Sequence, residues 1–290
     1  MSNLKQISNR IKTINSTKKT TKAMQMVSAS KLKKAKEVLL ASDLRIQSMK
    51  NIVGNIISNV SDFSDLDNLF LSLDKHRSNE SAKLLIIFAS NRGLCGGFNN
   101  SIIKKSIEDI ETFKKGNQEI KLIIVGTKAY SALSFMGYKD YIDSYYEIKN
   151  ENEQELIFNV LYNRVVQLIE SCRTSFCYLY FNKFKNAMTQ IPTRLDLLPY
   201  NFDKDFIQSD YDYEGENLLY NAMGFYIKSA INFAFSQSYA SENAARMISM
   251  DNATKNATKL SRELTLSLNR SRQALITTEL TEIISGAEAV

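Results

Sequence analysis

The chain has 290 residues, of which 44% are hydrophobic and 23% charged, so it is long enough for more than one domain with a substantial core. It contains no apolar run of about 18 residues, and the sequence therefore predicts no membrane-spanning helix. The net charge of +6 is unevenly spread, because residues 1–36 hold ten Lys or Arg and neither Asp nor Glu. Such a basic block indicates a solvated face, an acidic protein partner or nucleic acid.

Residues 1–60 predict one long helix with a narrow apolar seam. The chain's two prolines are Pro192 and Pro199, so neither terminal region holds this helix-breaking residue. Positions spaced alternately by three and four residues from Leu4 to Val60 are apolar at twelve of seventeen places, which is a heptad pattern. Four consecutive seam positions are polar: Lys18, Thr21, Gln25 and Ser28. The sequence predicts that the buried face shifts there to apolar neighbours: Ala23, Met24, Met26 and Val27.

The middle of the chain predicts a small α/β domain at 82–200, between linkers at 61–81 and 201–216. Both linkers are rich in polar and acidic residues. Apolar runs predict strands at 84–89, 122–125 and 176–181, and helical patterns fall at 99–115, 127–136 and 151–172. Strands that alternate with helices predict a mostly parallel sheet, with further strand or loop at its edge over 182–200.

Residues 217–290 predict a second long helix with an apolar seam in steps of three and four residues. A stripe this narrow needs a partner helix, so the two terminal helices are expected to pair antiparallel. Small seam residues would allow close approach: Ala240, Ala244, Ala253 and Ala257. The predicted fold is α/β: a long antiparallel coiled coil of the N- and C-terminal helices with an inserted Rossmann-like α/β domain.

The sequence predicts no catalytic residue, cofactor or metal ion. Cys95, Cys172 and Cys177 have no metal-ligand spacing and are typical of reduced thiols. His76 lies in a polar stretch without a second His, so neither a metal site nor a Cys–His pair is predicted. Nucleic acid is disfavoured because residues 1–62 contain no aromatic side chain to stack on bases.

The most enzyme-like stretch is SNRGLCGGFNN at 90–100, which follows a predicted strand and opens a predicted helix. Its glycines are spaced GxxGG, which matches neither the dinucleotide-binding nor the P-loop pattern. A tight turn that lets strand and helix pack closely is the favoured interpretation. A phosphate-cradling loop is the alternative, and it would make the chain a cytoplasmic coiled-coil adaptor with a nucleotide-binding α/β domain.

Four segments resemble the γ subunit of F-type ATP synthases, in the same order and over the whole chain. They are ISNRIKTINSTKKTTKAMQMVSASKLKKAK (7–36), SNRGLCGGFN (90–99), SENAARMISMDNATKNA (241–257) and RQALITTELTEIISGAEAV (272–290). The two C-terminal segments are the most distinctive. One departure is Asn91, where many relatives are expected to have an acid.

The resemblance implies a rotor rather than an enzyme. It implies a central stalk inside a hexamer of α and β subunits that carries the catalytic sites on β, with the globular domain beside the ε subunit and the membrane ring of c subunits. Rotation driven by protons or sodium ions would reach the hexamer through this stalk and regulate ATPase activity and ion flow. The implied location is peripheral, on the cytoplasmic face of a bacterial inner membrane.

The resemblance and the basic block together nominate contact residues. The candidates for acidic loops of β are four lysines: Lys31, Lys33, Lys34 and Lys36. Arg272 and Gln273 match family positions that contact a β loop. The resemblance also implies an apolar tip held in a hydrophobic sleeve at the top of the ring: Leu275, Ile276, Leu280, Ile283 and Ile284. Ordinary packing within the coil is the competing interpretation for this tip.

Overall fold

The computed structural model describes residues 2–59, 82–149, 151–171, 174–200 and 217–288. The predicted linkers, His76 and Cys172 lie outside the described residues. The helices within them are α1 (Ser2–Asn59), α2 (Phe98–Lys115), α3 (Thr127–Phe135), α4 (Glu151–Glu170) and α5 (Leu218–Glu288), with a 3₁₀ turn at Lys139–Tyr141. The strands are β1 (Ala82–Phe88), β2 (Ile120–Val125), β3 (Ile142–Tyr146), β4 (Thr174–Phe184) and β5 (Gln190–Leu198).

The chain forms two compact units, and the boundaries between them fall within the two long helices. One unit, called here the terminal coil, comprises Met1–Ser30 and Arg246–Val290. The other, called the sheet unit, comprises Lys31–Ala245 and contains all five strands. The sheet unit therefore includes the second half of α1 and the first part of α5 in addition to the predicted insert.

The sheet has the strand order β3-β2-β1-β4-β5. The pairs β1–β2, β1–β4 and β2–β3 are parallel, whereas β5 is antiparallel to β4. The order runs outward on both sides of β1, as in doubly wound folds, and the direction of winding reverses between β1 and β4. This arrangement confirms the predicted Rossmann-like domain. Strand β3 was not predicted, because its sequence IDSYY is half-buried throughout and lacks an apolar run.

Helices cover both faces of the sheet. On one face, α2 and α3 bury residues such as Ile102, Ile110 and Leu133 against β1 and β2. On the other face, α4 and the sheet-unit parts of α1 and α5 bury an apolar set that includes Val53, Ile56, Leu161, Val165, Met223 and Ile227. The near-continuous apolar character of β1, which is buried at every position, follows from this double covering.

Within the terminal coil, α1 and α5 run antiparallel, as predicted. Asn15 contacts Ser261, Thr21 contacts Thr254 and Gln25 contacts Asp251, so residue numbers fall on α5 as they rise on α1. The predicted shift of the buried face is wrong. Thr21 and Ser28 are buried on the original seam, whereas Ala23, Met26 and Val27 are exposed. Thr21 and Gln25 keep their place on this seam because they bond across it to Thr254 and Asp251.

Candidate partner-contact surfaces

The four candidate lysines lie in the sheet unit on the solvent side of α1. Lys31, Lys33, Lys34 and Lys36 are all exposed. The seam residues Leu32, Ala35 and Leu39 are buried between them and hold this turn of the helix in place. Leu32 and Ala35 thus orient a run of ammonium groups outward, where an acidic surface can approach them.

Lys36 differs from the other three lysines because it has a partner in its own unit. Its Nζ lies 5.4 Å from the centre of the Phe184 ring, at the end of β4, in a cation–π contact. Lys31, Lys33 and Lys34 are therefore the better candidates for an outside partner, and Lys36 also ties α1 to the sheet.

The remaining candidates lie in the terminal coil, near the end of α5. Arg272 and Gln273 are exposed. Of the five tip residues, Leu275 is half-buried, and four are exposed by 46–68%: Ile276, Leu280, Ile283 and Ile284. Their spacing places these four on one face of the helix as an apolar stripe.

The pairing of α1 with α5 explains why the tip is uncovered. Helix α1 begins at Ser2, and continuing the observed pairing brings that start opposite α5 at about residue 274. Among the described residues, no turn of α1 lies opposite α5 beyond this point. Packing within the coil therefore accounts for Leu275 and leaves the stripe from Ile276 to Ile284 exposed.

The glycine-rich turn at 90–97 is braced by Asn99 in the first turn of α2. Asn99 accepts from the backbone N–H of Ser90 at 3.0 Å, and its Nδ2 donates to the Ser90 Oγ at 2.8 Å and to the Cys95 Sγ at 3.3 Å. Leu94 and Gly96 have φ angles of 63° and 58°, the left-handed values that a tight reversal requires. The turn thus brings β1 directly into α2, as the favoured interpretation predicts.

Asn91 joins three loops at the carboxyl edge of the sheet. Its Nδ2 donates to the Ile148 carbonyl at 2.7 Å, after β3, and its Oδ1 accepts from the Thr127 N–H at 3.1 Å, where α3 begins. A carboxylate has no N–H to donate to Ile148. An acid, which the resemblance leads one to expect at this position, could therefore not make the bond that Asn91 makes to Ile148.

The crevice between the carboxyl ends of β1 and β4 is filled by the chain itself. At the reversal point of a doubly wound sheet this crevice is the usual place for a ligand. Here the α5 residues Gln237, Ser238 and Ser241 are buried against it and bond to the backbone of β1 and β4. Sequence reasoning missed these residues, because three polar side chains on a long helix give no signal of their own.

Comparison with known proteins identifies the family. A family model described as ATP synthase matches residues 3–290. An ATP synthase gamma chain from Rickettsia felis is 47% identical over 297 aligned residues that cover 100% of both chains. One from Rickettsia bellii is 45% identical with the same coverage. The chain belongs to the ATP synthase gamma-chain family.

Solved structures of ATP synthases carry the same fold as this gamma-family chain. A chain of the Euglena gracilis mitochondrial ATP synthase matches with a TM-score of 0.69 at 18% identity, over 99% of this chain and 94% of that one. A chain of the Tetrahymena thermophila central stalk and c ring matches with a TM-score of 0.54 at 25% identity, over 80% of this chain and 98% of that one.

Three ionisable groups of this gamma-family chain have pKa values shifted by hydrogen bonding or burial. Arg164 on α4 donates to both oxygens of Asp143 on β3, and these hydrogen bonds lower the pKa of the Asp143 carboxyl. Burial raises the pKa of the Cys177 thiol, which makes it a poor nucleophile. Burial lowers the pKa of Lys83 to about 8, and its Nζ lies over the Phe176 ring.

Neither a metal cluster nor a membrane span occurs in the described part of this gamma-family chain. No group of three His, Cys, Asp or Glu side chains within it is arranged to hold a metal ion. None of its described helices combines the length and apolar character needed to cross a bilayer.

Proposed function

We propose that the chain is the central-stalk rotor subunit of a proton- or sodium-translocating F-type ATP synthase. It would transmit rotation of a membrane c ring to a catalytic hexamer of α and β subunits and so regulate ATPase activity and ion flow. The observation that carries the proposal is full-length similarity to ATP synthase gamma chains, on a fold whose antiparallel helices end in an uncovered apolar tip.

A non-catalytic role follows from the same features. We place the catalytic sites on the β subunits, so this chain contributes force rather than chemistry. The rival interpretation, a coiled-coil adaptor that binds a nucleotide, needs an open crevice beside the 90–97 turn. The burial of Gln237, Ser238 and Ser241 in the crevice between β1 and β4 argues against that rival.

The tip is proposed as the bearing of the rotor. An apolar stripe of four large side chains is costly in water and needs a cover. A hydrophobic sleeve at the top of the hexamer would cover it without directional bonds, and this permits rotation. Arg272 and Gln273, one turn earlier, would contact a β loop near the sleeve.

The exposed lysines of α1 are proposed as the contact with acidic loops of β. Three exposed lysines project from the helix: Lys31, Lys33 and Lys34. Lys36 would contribute less, because its ammonium group also contacts the Phe184 ring. Charge pairs at such an exposed surface steer and orient more than they bind, which suits a surface that must pass three β subunits in turn.

The functional parts would follow the division predicted from the sequence. The helices at 1–60 and 217–290 would form the shaft, and the insert at 82–200 would stand at its foot beside the ε subunit and the c ring, with linkers at 61–81 and 201–216. This would place the protein peripherally on the cytoplasmic face of a bacterial inner membrane. The bacterial sources of similar gamma chains support that location.

Co-purification tests the proposal most directly. A tagged chain expressed with the α and β subunits of its source should recover both by mass spectrometry, and the complex should couple ATP hydrolysis to ion transport in vesicles. Binding of a nucleotide to the isolated chain, without recovery of α and β, would instead favour the adaptor.

Charge reversal tests the basic surface. Changing Lys31, Lys33 and Lys34 to Glu should lower the ratio of ion transport to ATP hydrolysis, because repulsion would replace attraction at the β loops. The matched control reverses Lys104 and Lys139, which are also exposed but lie on α2 and in the 3₁₀ turn. Equal coupling in both variants would contradict the assignment of the lysines.

A further inference from the structure

Strand β4 extends beyond the end of its neighbour β1. The pairing of β1 with β4 reaches Ile87 opposite Tyr180, whereas β4 continues to Phe184. On its other side β4 stays paired with β5 to the end, with Phe184 opposite Gln190. The last residues of β4 therefore have a strand neighbour on one side only, and the side of β1 is left open.

Two backbone groups of β4 face this open side. The residue opposite Asn182 is Pro192, which has no N–H to donate across the strands, so the Asn182 carbonyl is not bonded by its opposite residue on β5. Backbone groups alternate between the two edges of a strand, so Phe184 faces the same edge as Asn182. Left unpaired inside the protein, each of these groups would destabilise the fold.

Side chains of α5 bond to both groups. The Ser241 Oγ donates to the Asn182 carbonyl at 2.8 Å, and the Phe184 N–H donates to the Gln237 Oε1 at 2.9 Å. Ser238, on the same face of the helix, donates at 3.4 Å to the carbonyl of Phe88, where β1 ends. One turn of α5 thus takes the place of the missing length of β1.

The same point is tied to a second helix. The Asn182 side chain is fully buried, and its Nδ2 donates to the Phe98 carbonyl at 3.0 Å while its Oδ1 accepts from the Ser101 Oγ at 3.1 Å. Asn182 therefore links α5, β4 and the start of α2 through bonds of its backbone and its side chain.

We propose that Gln237, Ser238 and Ser241, together with Asn182, form the torque-bearing joint between the sheet and α5. This rests on the proposed rotor function, and it names the positioning residues through which force applied to the globular part turns the helix. Hydrogen bonds fix both the rotation and the axial position of a helix, because they are directional.

Much of the remaining contact between α5 and the sheet, among the described residues, is apolar. The helix packs on the sheet mainly through apolar side chains, including small ones such as Ala230 and Ala234, both fully buried. Apolar contact is favourable but non-directional, so it fixes the position of the helix less sharply than hydrogen bonds do. Under load, the directional bonds of the joint would help to keep α5 in register.

The test compares two variants of the complete complex in vesicles. Gln237→Met with Ser241→Ala removes both bonds while keeping the shape of residue 237. The matched control is Ser236→Ala, which changes an adjacent buried serine whose Oγ donates to Asn232 of the same helix. We expect ion transport per ATP hydrolysed to fall at least about twofold in the double variant and to stay at the wild-type value in the control.

Amide exchange shows whether the bond itself was lost. The Phe184 amide should exchange about tenfold faster in the double variant, and also in Gln237→Met alone, which keeps the test available if the double variant folds poorly. Faster exchange with wild-type coupling would overturn the joint, as would unchanged exchange. Failure of the wild-type chain to assemble with α and β subunits would instead overturn the proposed function, so the two failures are distinguishable.

Discussion

The same α1 seam is held in two different ways in the two units. In the sheet unit, Leu32, Ile46 and Val53 are buried to 6% exposure or less, because the sheet and further helices surround α1. In the terminal coil, Ile7, Ile11 and Ile14 on the same heptad pattern are only half-buried, because α5 covers one side alone. One periodic sequence thus gives a packed core in one place and a thin seam in the other.

The difference shows where each unit obtains its specificity. In the sheet unit the fold is specified by side-chain volumes, since the interior is closely packed, and by tight turns. The coil has little apolar area, and the polar pairs Thr21–Thr254 and Gln25–Asp251 fix which turns face each other. Buried polar residues in coiled coils commonly set register at some cost in stability.

The largest expected change in stability is at Gly126, a glycine packed closely against a neighbouring strand of the sheet unit. Gly126 has a φ of 113°, and a Cβ there would lie 2.2 Å from the carbonyl oxygen of Ala89. We expect Gly126→Ala to lower the free energy of unfolding by about 3–5 kcal/mol, since both the backbone and the neighbouring strand must move. Gly96→Ala is the control, with a φ of 58° and open space around it, and should cost about 1 kcal/mol. Urea unfolding monitored by circular dichroism measures both; equal costs would contradict the close approach.

Matched truncations along α1 test the two ways of holding the seam. Ile56→Ala removes a side chain that is 1% exposed, and we expect it to cost about 3 kcal/mol. Ile11→Ala removes the same atoms from a half-buried position, and the expected cost is about 1 kcal/mol. Both values come from urea unfolding of the full chain. A larger loss at Ile11 would mean that the coil, rather than the sheet unit, dominates stability.

The sequence predicted the elements whose own residues show a clear hydrophobic pattern. Apolar runs predicted β1, β2 and β4, and three/four spacing predicted both terminal helices. Sequence reasoning gave the wrong buried face where the interacting residue lies far away in the chain. Thr21 and Gln25 stay on the seam because they hydrogen-bond to Thr254 and Asp251, and the pattern of α1 alone does not show these partners. The tip was nominated by family resemblance, but its exposure depends on how α1 pairs with α5 in the folded coil. The joint at Gln237 depends on strand lengths that only the folded sheet fixes.

A double-mutant cycle tests the polar seam of the coil. Thr21→Val or Thr254→Val alone should cost about 1 kcal/mol, because each leaves one hydroxyl without its 2.8 Å partner. The double variant replaces both hydroxyls by methyl groups of similar shape and should cost less than the two single changes together. Additive costs in urea unfolding would show that the two hydroxyls do not interact. Thr13→Val, an exposed threonine bonded to its own helix, is the control and should cost little.

A pH dependence of stability is also expected in the sheet unit. Lys83 is 4% exposed, and burial lowers its pKa to about 8, below the value of about 10.4 in an unfolded chain. Between these pKa values the unfolded chain binds more protons than the folded one, so stability rises with pH across that window. Below about pH 8 both states are protonated and the dependence disappears.

We therefore expect the wild type to gain stability relative to Lys83→Met as pH rises from about 8 to about 10. The reason is that folding no longer has to bury a charge over the Phe176 ring. Lys104→Met, at an exposed position, is the control and should show a constant difference from the wild type over the same range. Urea unfolding at about pH 7, 8.5 and 10 measures both differences. A stability difference for Lys83→Met that did not change with pH, as in the control, would contradict the prediction. It would mean that the Lys83 ammonium group is hydrated in the folded protein, so that the start of β1 is as accessible to water as the coil.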